Sequence, residues 1–470
     1  MFGVNRIESD LGSVTRRQLL RVGALSFAGI GLPDLLRWRQ LQARERDGAQ
    51  RAKSCILIYL FGGPSQLETF DLKPLAPLDF RGEFQPIATN VPGISISEHL
   101  PLLARQADKY ALIRSMTHEH PRHGWGLYHA FTGRRHSRPD LDAPPTPDDH
   151  PGVGAIVNYS IAPKGGLPAA VTLPRWNKFN DLPDEYAGEK AGFLGKTFDP
   201  WLIAADPNAA DFGISGIDLP TGLSLGRFAE RNTLRRQLET RLEGMLASSL
   251  SQKHDLLYQQ AVALVASRSA RQAFELQHEA SALRELYGRH PMGQGLLLAR
   301  RLVEAGTTLV TVNWHNDNSD VKSPFWDTHR ENFSTLKQKL LPPTDRAIAA
   351  LLQDLSERGL LDSTLVVVLG EFGRTPRIGR VVMNAATDAT GRDHWPHAYS
   401  ALIAGGGVRG GQVHGASDDR AAYVSRDPVT PPDLVATILW RLGIDRETVI
   451  HDRLRRPQPL CDGEPVEALF

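Results

Sequence analysis

The sequence is poor in the features that mark several common classes of protein. Only two of its 470 residues are cysteines, Cys55 and Cys461, which excludes a disulfide framework and a zinc site built from cysteines. The sequence alone leaves open whether Cys55 and Cys461 form a single disulfide. The 54 Lys and Arg residues balance 53 Asp and Glu, so the net charge of +1 predicts neither nucleic-acid binding nor attraction to an anionic membrane. Hydrophobic residues, at 41%, are at the level of a soluble globular protein.

Paired arginines near the N-terminus precede a short apolar segment. Arg16 and Arg17 are followed by the Gly- and Ala-rich run 22–36, which is typical of a twin-arginine export signal. The run is shorter than the roughly 20 apolar residues of a membrane span, and Pro33 and Asp34 interrupt it. We therefore expect residues 1–45 to be signal and spacer, no span in the mature chain, and a periplasmic or extracellular protein. An amphipathic first helix of the mature fold is the alternative.

Short apolar runs alternate with helical segments over the rest of the chain. This alternation predicts an α/β fold, with a mostly parallel sheet and helices on both faces, as a single domain over 46–470. A helical insertion is predicted at about 226–288, and further helices at 295–305, 345–357 and 431–442. The predicted strands are Cys55–Leu60, Tyr110–Ile113, Ala169–Leu173, Thr308–Val312, Leu365–Leu369 and Tyr399–Ala404.

Glycines or ionisable residues follow the first two predicted strands. Gly62 and Gly63 follow the first, where backbone N–H groups suit an anion, although a tight turn explains them too. Five histidines in 118–136, including His118, His120 and His123, follow the second. Ligands bind beyond the carboxyl ends of the strands in an open α/β sheet, so we favour a functional site over a solvated loop.

The later strands are followed or preceded by further ionisable residues. Asp327 and His329, two positions apart, share a face of an extended segment and can both reach one metal ion. Glu371 and Arg374 follow the strand at 365–369, and Arg suits phosphate or sulfate, although a structural ion pair is equally open. His394 lies in a Gly-Arg-Asp-His-Trp-Pro segment before the last strand. Together these segments resemble the site of a metal-assisted hydrolase.

The motifs resemble those of the domain-of-unknown-function 1501 family, often described as sulfatase-like, over nearly the whole mature chain. The matching segments are 62–74 (GGPSQLETFDLKP), 114–120 (RSMTHEH), 123–133 (HGWGLYHAFTG), 285–288 (ELYG), 297–306 (LLARRLVEAG), 326–329 (WDTH), 370–376 (GEFGRTP) and 391–396 (GRDHWP). The family looks like a branch of the alkaline phosphatase superfamily. The resemblance therefore implies an alkaline-phosphatase-like fold, one or two metals and a nucleophile at a helix N-terminus.

The resemblance also implies roles for individual residues. Asp327, His329 and His394 correspond to metal ligands, and the ion would be a divalent metal, zinc or calcium-like. Gly62 and Gly63 stand where active sulfatases carry acidic ligands, which leaves a second metal in doubt. The Cys/Ser-x-Pro-x-Arg signature is absent, so a formylglycine-type sulfatase is disfavoured, and Thr117 or Ser115 is the substitute nucleophile.

Two functions follow from these residues. The first is an exported metal-dependent hydrolase of sulfate or phosphate esters, acting on a small molecule or a polysaccharide. In it Glu371 binds the metal or acts as base, and His118, His120 or His123 transfers protons. Arg374, Arg122, Gly62 and Gly63 then bind the anion. The alternative is a non-catalytic exported binding protein that keeps the fold.

The export signal can be tested directly. Changing Arg16 and Arg17 together to lysine should retain the protein in the cytoplasm, because the pathway reads the arginine pair. Cell fractionation with immunodetection measures this, and unchanged export of the double variant would remove the prediction.

Overall fold

The structure is a computed structural model, and the residues it describes are 51–138, 142, 144–179, 185–214, 216–217, 222–243, 258, 260–314, 325–384 and 386–470. The chain divides into two units, Met1–Gln50 and Arg51–Phe470. The predicted export signal at 1–45 lies outside the described residues. Within those residues, no helix combines the length and the apolar character needed to cross a bilayer.

Eight strands form the central sheet, in the order β8-β2-β7-β6-β1-β5-β3-β4. The strands are β1 (Ser54–Tyr59), β2 (Tyr110–Met116), β3 (Ala170–Leu173), β4 (Trp201–Leu202), β5 (Leu309–Asn313), β6 (Thr364–Leu369), β7 (Tyr399–Ala404) and β8 (Gln412–His414). All neighbours run parallel except those of β7. The prediction of a mostly parallel α/β sheet is confirmed. Its apolar runs are buried strands: every residue of β1 is buried between β5 and β6, where Cys55 pairs with Leu309 and Leu365.

The reversed direction of β7 decides where polar side chains meet. This strand is antiparallel to both β2 and β6, with Tyr399 opposite Met116 and Leu402 opposite Val368. The amino end of β7 therefore lies beside the carboxyl ends of β1, β2, β5 and β6. We call this side of the sheet, where these five strand ends meet, its polar edge. A segment that precedes β7 can thus join segments that follow the other four strands.

Helices cover both faces of the sheet. Among the described residues, helices of seven or more residues include α1 (His123–Thr132), α2 (Val153–Ser160), α3 (Leu225–Glu243), α4 (Ser281–Tyr287), α5 (Pro291–Glu304), α6 (Leu341–Glu357) and α7 (Pro431–Arg441). Residues 260–266 are helical as well. Shorter helices span Leu78–Arg81, Pro101–Ala104, Arg268–Ala273 and Asn332–Thr335. Gly154 of α2 lies against Ala170 of β3, and Gly295 of α5 lies against Leu173 of the same strand. Positions three apart on a strand point to opposite faces, so α2 and α5 lie on opposite sides.

The remaining predictions for this part of the chain concern the helical segment and the cysteines. The helix α3 begins one residue before the predicted segment 226–288, and the helix at Arg268–Ala273 and α4 lie within it. Cys55 and Cys461 are both buried as free thiols, so the structure has no bridge between them.

A fully buried ion pair holds the loops at the polar edge of the sheet. The Arg392 guanidinium donates to Glu68 Oε1 at 2.7 and 3.1 Å, and neither side chain is exposed. The same guanidinium donates to the carbonyl oxygens of Thr375, Pro376 and Phe80 at 2.9, 2.5 and 2.6 Å. It thereby joins the loops that follow β1 and β6 to the segment that precedes β7.

This pair gives a prediction for stability. Arg392→Met should lower the free energy of unfolding by about 3–5 kcal/mol, because it leaves the Glu68 carboxylate buried without its cation. Urea unfolding followed by circular dichroism measures the loss. The double variant Arg392→Met/Glu68→Gln should recover part of it, whereas Arg409→Met, at an exposed arginine, should be close to wild type. A loss below about 1 kcal/mol for Arg392→Met would contradict the role of the pair.

Candidate metal centre

Three residues predicted as metal ligands meet at the polar edge of the sheet. Nε2 of His329 lies 2.9 Å from Asp327 Oδ1, and Nε2 of His394 lies 3.1 Å from the same oxygen. The two Nε2 atoms are 2.9 Å apart. Three donor atoms this close to one another can share one ion at the usual distances of about 2.0–2.2 Å.

The other ring nitrogen of each of these histidines is held by a hydrogen-bond partner. His394 Nδ1 lies 2.6 Å from the carbonyl oxygen of Pro121, to which it donates. His329 Nδ1 lies 2.8 Å from the hydroxyl of Thr387. Histidines that bind metals are anchored in this way, so that Nε2 faces the ion with its lone pair. The donor set therefore fits a divalent metal.

A third imidazole, that of His123, points at the same aspartate. It begins α1, and its Nδ1 lies 2.5 Å from Glu371 Oε1. Its Nε2 lies 3.5 Å from Asp327 Oδ2 and is buried without a hydrogen-bond partner. Ligand atoms of His123, Asp327 and His394 all lie within 4.8 Å of one another. From the sequence we expected His123 only as a group that transfers protons, but its position also suits a ligand.

Buried charges set the protonation of this group of residues. Burial alone would raise the pKa of Asp327, but Arg374 and His123 hold it well below its usual range. Burial, aided by the charge on His123, lowers the pKa of His394 to about 3. At neutral pH Asp327 is thus ionised and His394 is neutral, the forms that bind metals. Burial alone would lower the pKa of His123 as well, yet the Asp327 and Glu371 carboxylates raise it to about 9.

Glu371 is fully buried behind His123. Its Oε1 accepts hydrogen bonds from His123 Nδ1 and, at 2.9 Å, from the backbone N–H of Gly62. Burial and the charge of this carboxylate raise the pKa of the Tyr59 and Tyr399 hydroxyls, which keeps both protonated. The carboxylate of Glu371 thus orients His123, whereas its contact with Asp327 is indirect.

Arg374 is directed into the protein. Its side chain is completely buried, and it donates to Asp327 Oδ1 at 2.6 Å. The guanidinium also donates to backbone carbonyl oxygens of Gly62, Gly63 (2.8 Å), Trp326 (3.2 Å) and Arg392 (3.3 Å). All three nitrogens of the guanidinium predicted to bind the anion of a substrate are therefore engaged by protein oxygens.

Gly62 and Gly63 lie in close contact with neighbouring loops at the centre. Their φ values are +116° and +83°. A Cβ on Gly62 would lie 2.5 Å from the backbone nitrogens of Trp326 and Asp327, and one on Gly63 would lie 2.6 Å from the ring of Phe372. The N–H of Gly62, predicted to bind an anion, already donates to Glu371. Gly62 thus permits the backbone that carries Asp327 to come close, and Gly63 permits the close approach of Phe372.

Four further predicted site residues lie around this centre, at the end of β2 and the start of α1. His118 Nε2 lies 2.6 Å from the Glu371 carbonyl oxygen, and burial lowers the pKa of His118 to about 4. His120 stacks on Trp125 with ring centroids 5.2 Å apart. The Thr117 hydroxyl donates to the His397 carbonyl oxygen at 3.1 Å, away from Asp327. Arg122 is the half-buried N-cap residue of α1, directly before His123.

Asp393 is a positioning residue that the sequence analysis did not select. Its Oδ2 accepts hydrogen bonds from the backbone N–H groups of residues 382, 383 and 384 at 2.6–2.9 Å. Its Oδ1 accepts from the N–H of His394 at 2.7 Å and lies 3.5 Å from His329 Nδ1. Asp393 therefore fixes the backbone next to one ligand and faces the ring of another. In the sequence, the sign of its role was its position directly before His394, a predicted metal ligand.

Fold and site define an α/β protein with an aspartate–histidine metal-type centre at the polar edge of its sheet. The chain belongs to the family described as Protein of unknown function (DUF1501), whose model matches residues 52–470. This confirms the family resemblance. No curated protein has a sequence that matches this chain.

Several solved structures are similar to the chain at low identity. A sulfatase from Pseudoalteromonas sp. is 14% identical, with 87% of this chain and 70% of that chain covered and a TM-score of 0.36. A phosphonate monoester hydrolase from Silicibacter pomeroyi is 14% identical, with 88% and 75% covered and a TM-score of 0.35. A protein in the alkaline phosphatase superfamily from Vibrio parahaemolyticus is 10% identical, with 87% and 84% covered and a TM-score of 0.37.

The close approach at Gly62 gives a test of how the centre is held. Gly62→Ala should lower the free energy of unfolding by roughly 1–3 kcal/mol more than Gly93→Ala does, because its Cβ meets backbone atoms. Gly93 is a matched control, since its φ is +85° and a Cβ there meets nothing within 4 Å. Thermal and urea unfolding of both variants measure the difference. Equal stabilities would show that the loops can separate at Gly62 without cost.

Proposed function

We propose that the protein is an exported metal-dependent hydrolase of sulfate or phosphate esters, not of the formylglycine type. The observation that carries the proposal is the convergence of Asp327, His329 and His394, from two segments far apart in sequence, on mutual contacts of 2.9–3.1 Å. Two imidazole nitrogens facing one carboxylate oxygen in a buried site are a donor set for a metal, and a structural role alone does not require it.

Asp327, His329 and His394 would hold the ion and leave a position open. The donor set favours zinc over a calcium-like ion, because calcium prefers oxygen ligands throughout. Such an ion, when bound, polarises an ester oxygen and lowers the pKa of water. Arg374 keeps Asp327 ionised and in place, so we assign it a positioning role.

His123 would move the proton. Glu371 holds its Nδ1 at 2.5 Å, and Nε2 faces the place where Asp327, His329 and His394 converge. The Glu371 carboxylate accepts the proton on Nδ1 and favours the protonated ring, whose Nε2–H would donate to the oxygen of a leaving alcohol. The hydroxyl of Thr117 is bound to the His397 carbonyl, and water is therefore the proposed attacking group.

Arg122 is the remaining candidate for binding the anion. It precedes His123, and within the described part of the chain its guanidinium has no hydrogen-bond or ion-pair partner. A half-buried arginine beside the proposed acid suits the oxygens of a sulfate or phosphate ester. The substrate would be a small-molecule or polysaccharide ester met in the periplasm or outside the cell.

A non-catalytic binding protein is the second candidate. It is favoured by one observation: the Arg374 guanidinium and the Gly62 N–H, both expected to hold the anionic group of a substrate for hydrolysis, are bound to oxygens of the protein itself. In that case a ligand would bind beside the centre through Arg122, without turnover.

Three histidine variants distinguish the hydrolase from the binding protein and test whether His123 transfers a proton. We expect purified wild-type protein to contain about one equivalent of metal by elemental analysis. His394→Ala should lose that metal and the hydrolysis of aryl phosphate or aryl sulfate, while its circular dichroism stays native. His123→Ala should keep most of the metal yet lose turnover by about 10²-fold or more, as expected for a missing acid. His278→Ala, at a side chain 65% exposed, is the control and should change neither.

Each contrary result has a distinct meaning. If His394→Ala kept its full metal content, the metal centre would be refuted. Loss of metal from His123→Ala would make that residue a ligand. Metal-loaded wild type that binds sulfate or phosphate but hydrolyses no ester would favour the binding protein.

A further inference from the structure

Exposed apolar side chains are concentrated on three loops near the segment that carries His394. The described residues include thirteen exposed large hydrophobic side chains, and six of them lie in the segments 75–78, 381–383 and 423. The six are Leu75, Leu78, Val381, Val382, Met383 and Tyr423. Leu75 is 99% exposed and Leu78 65%, so these side chains protrude into solvent. Such a concentration indicates a contact surface, whereas single exposed side chains need no explanation.

The three loops meet around a shared cavity. The N–H of Ile378 donates to the carbonyl oxygen of Asp79 at 2.9 Å, and the guanidinium of Arg420 lies 4.9 Å from the ring centroid of Phe80. A cavity of about 610 Å³ lies where these loops meet, and its walls include Phe80, residues 376–380 and Tyr423. Of the six exposed apolar side chains only Tyr423 lines the cavity, and the other five lie on the adjoining segments 75–78 and 381–383. We call these three loops and the cavity between them the basic-apolar surface.

The basic-apolar surface carries unpaired positive charge. Arg377, Arg380 and Arg420 line the cavity. Arg377 is paired with Asp79 at 3.1 Å, but no carboxylate of the described residues forms an ion pair with Arg380 or Arg420. The Arg380 guanidinium lies 5.0 Å from the ring centroid of Trp395. Stacking on a ring orients a guanidinium while its N–H edge stays available to an anion.

The loops of this surface are fixed in place. Asp393 holds the backbone N–H groups of Val382 and Met383. Asp418 accepts from the N–H groups of residues 420, 422 and 423 at 2.8–3.1 Å. The exposed side chains are therefore presented by a preformed backbone, and binding would cost little further ordering.

We propose that the basic-apolar surface binds the surface of an anionic lipid bilayer. Apolar side chains that protrude from neighbouring loops can enter the interface between headgroups and acyl chains, and arginines beside them suit lipid phosphates. A soluble polyanion would explain the arginines but not Leu75, Leu78 and the run 381–383. A protein partner would require a complementary apolar surface of its own. The net charge of +1 predicted no membrane binding, because it hides this local separation of charge.

Sedimentation with lipid vesicles tests the proposal on the full chain and is independent of ester hydrolysis. Wild type should bind vesicles of phosphatidylglycerol mixed with phosphatidylcholine, and bind vesicles of phosphatidylcholine alone more weakly. Arg380→Gln/Arg420→Gln should weaken binding to the anionic vesicles by about 25-fold, roughly fivefold for each arginine. Val381→Ser/Val382→Ser/Met383→Ser should weaken it by at least about tenfold, also at high salt, since burial of apolar groups is not screened.

Matched controls and a measurement without variants complete the test. Leu454→Ser, at a side chain 74% exposed, and Arg289→Gln lie outside the surface and should bind as wild type. Hydrogen exchange of the wild type should slow in the segment 377–383 when anionic vesicles are added. Absence of wild-type binding to anionic vesicles would overturn the proposal. So would binding of soluble dextran sulfate at this surface without binding of vesicles, which would make it a polyanion site, or a purified protein partner that protects 377–383 when vesicles do not.

Discussion

The structure at the polar edge of the sheet depends on the buried guanidinium of Arg374. One planar cation there satisfies four backbone carbonyl oxygens and the carboxylate of Asp327. These oxygens belong to the loop after β1, the segment after β5 and the segment before β7. A lysine has a single charged nitrogen and could not bridge oxygens spread around a plane. The geometry of the metal-type centre is therefore set by a residue that would itself touch no ion.

Around Arg374, three buried pairs join charges of opposite sign. Glu68 is paired with Arg392, Asp327 with Arg374, and Glu371 with His123. Each pair offsets part of the cost of removing its charges from water, and each connects different loops. Loss of one partner would leave a charge stranded at the point where several loops meet. The stability of the loops and the chemistry of the centre thus depend on the same ion pairs.

The sequence predicted the sheet and the proximity of Asp327, His329 and His394, because both follow from local signals read with one topological rule. Buried strands leave apolar runs, and ligands gather at strand ends, which brought Asp327, His329 and His394 together in the prediction. The strands Trp201–Leu202 and Gln412–His414 were missed since two or three residues give no pattern. Three further features could not be predicted from the sequence. They are the burial of the Arg374 side chain, the Arg392–Glu68 pair, and the position of His123, which suits both proton transfer and metal binding. They depend on contacts between residues far apart in the sequence, such as Gly62 with Glu371 and Glu68 with Arg392.

The place of β1 in the sheet has a consequence for the chain during its synthesis. This strand is the first of the sheet to be synthesised, yet its neighbours are β5 and β6. Cys55 therefore cannot pair with Leu309 and Leu365 until the ribosome has added those residues. At the usual rates of translation this interval is on the order of ten seconds or more. Through that time a wholly apolar strand has two unpaired edges, which is a hazard for aggregation. The nascent chain should therefore need a chaperone that covers β1, and residues around Cys55 are where such a holdase would bind.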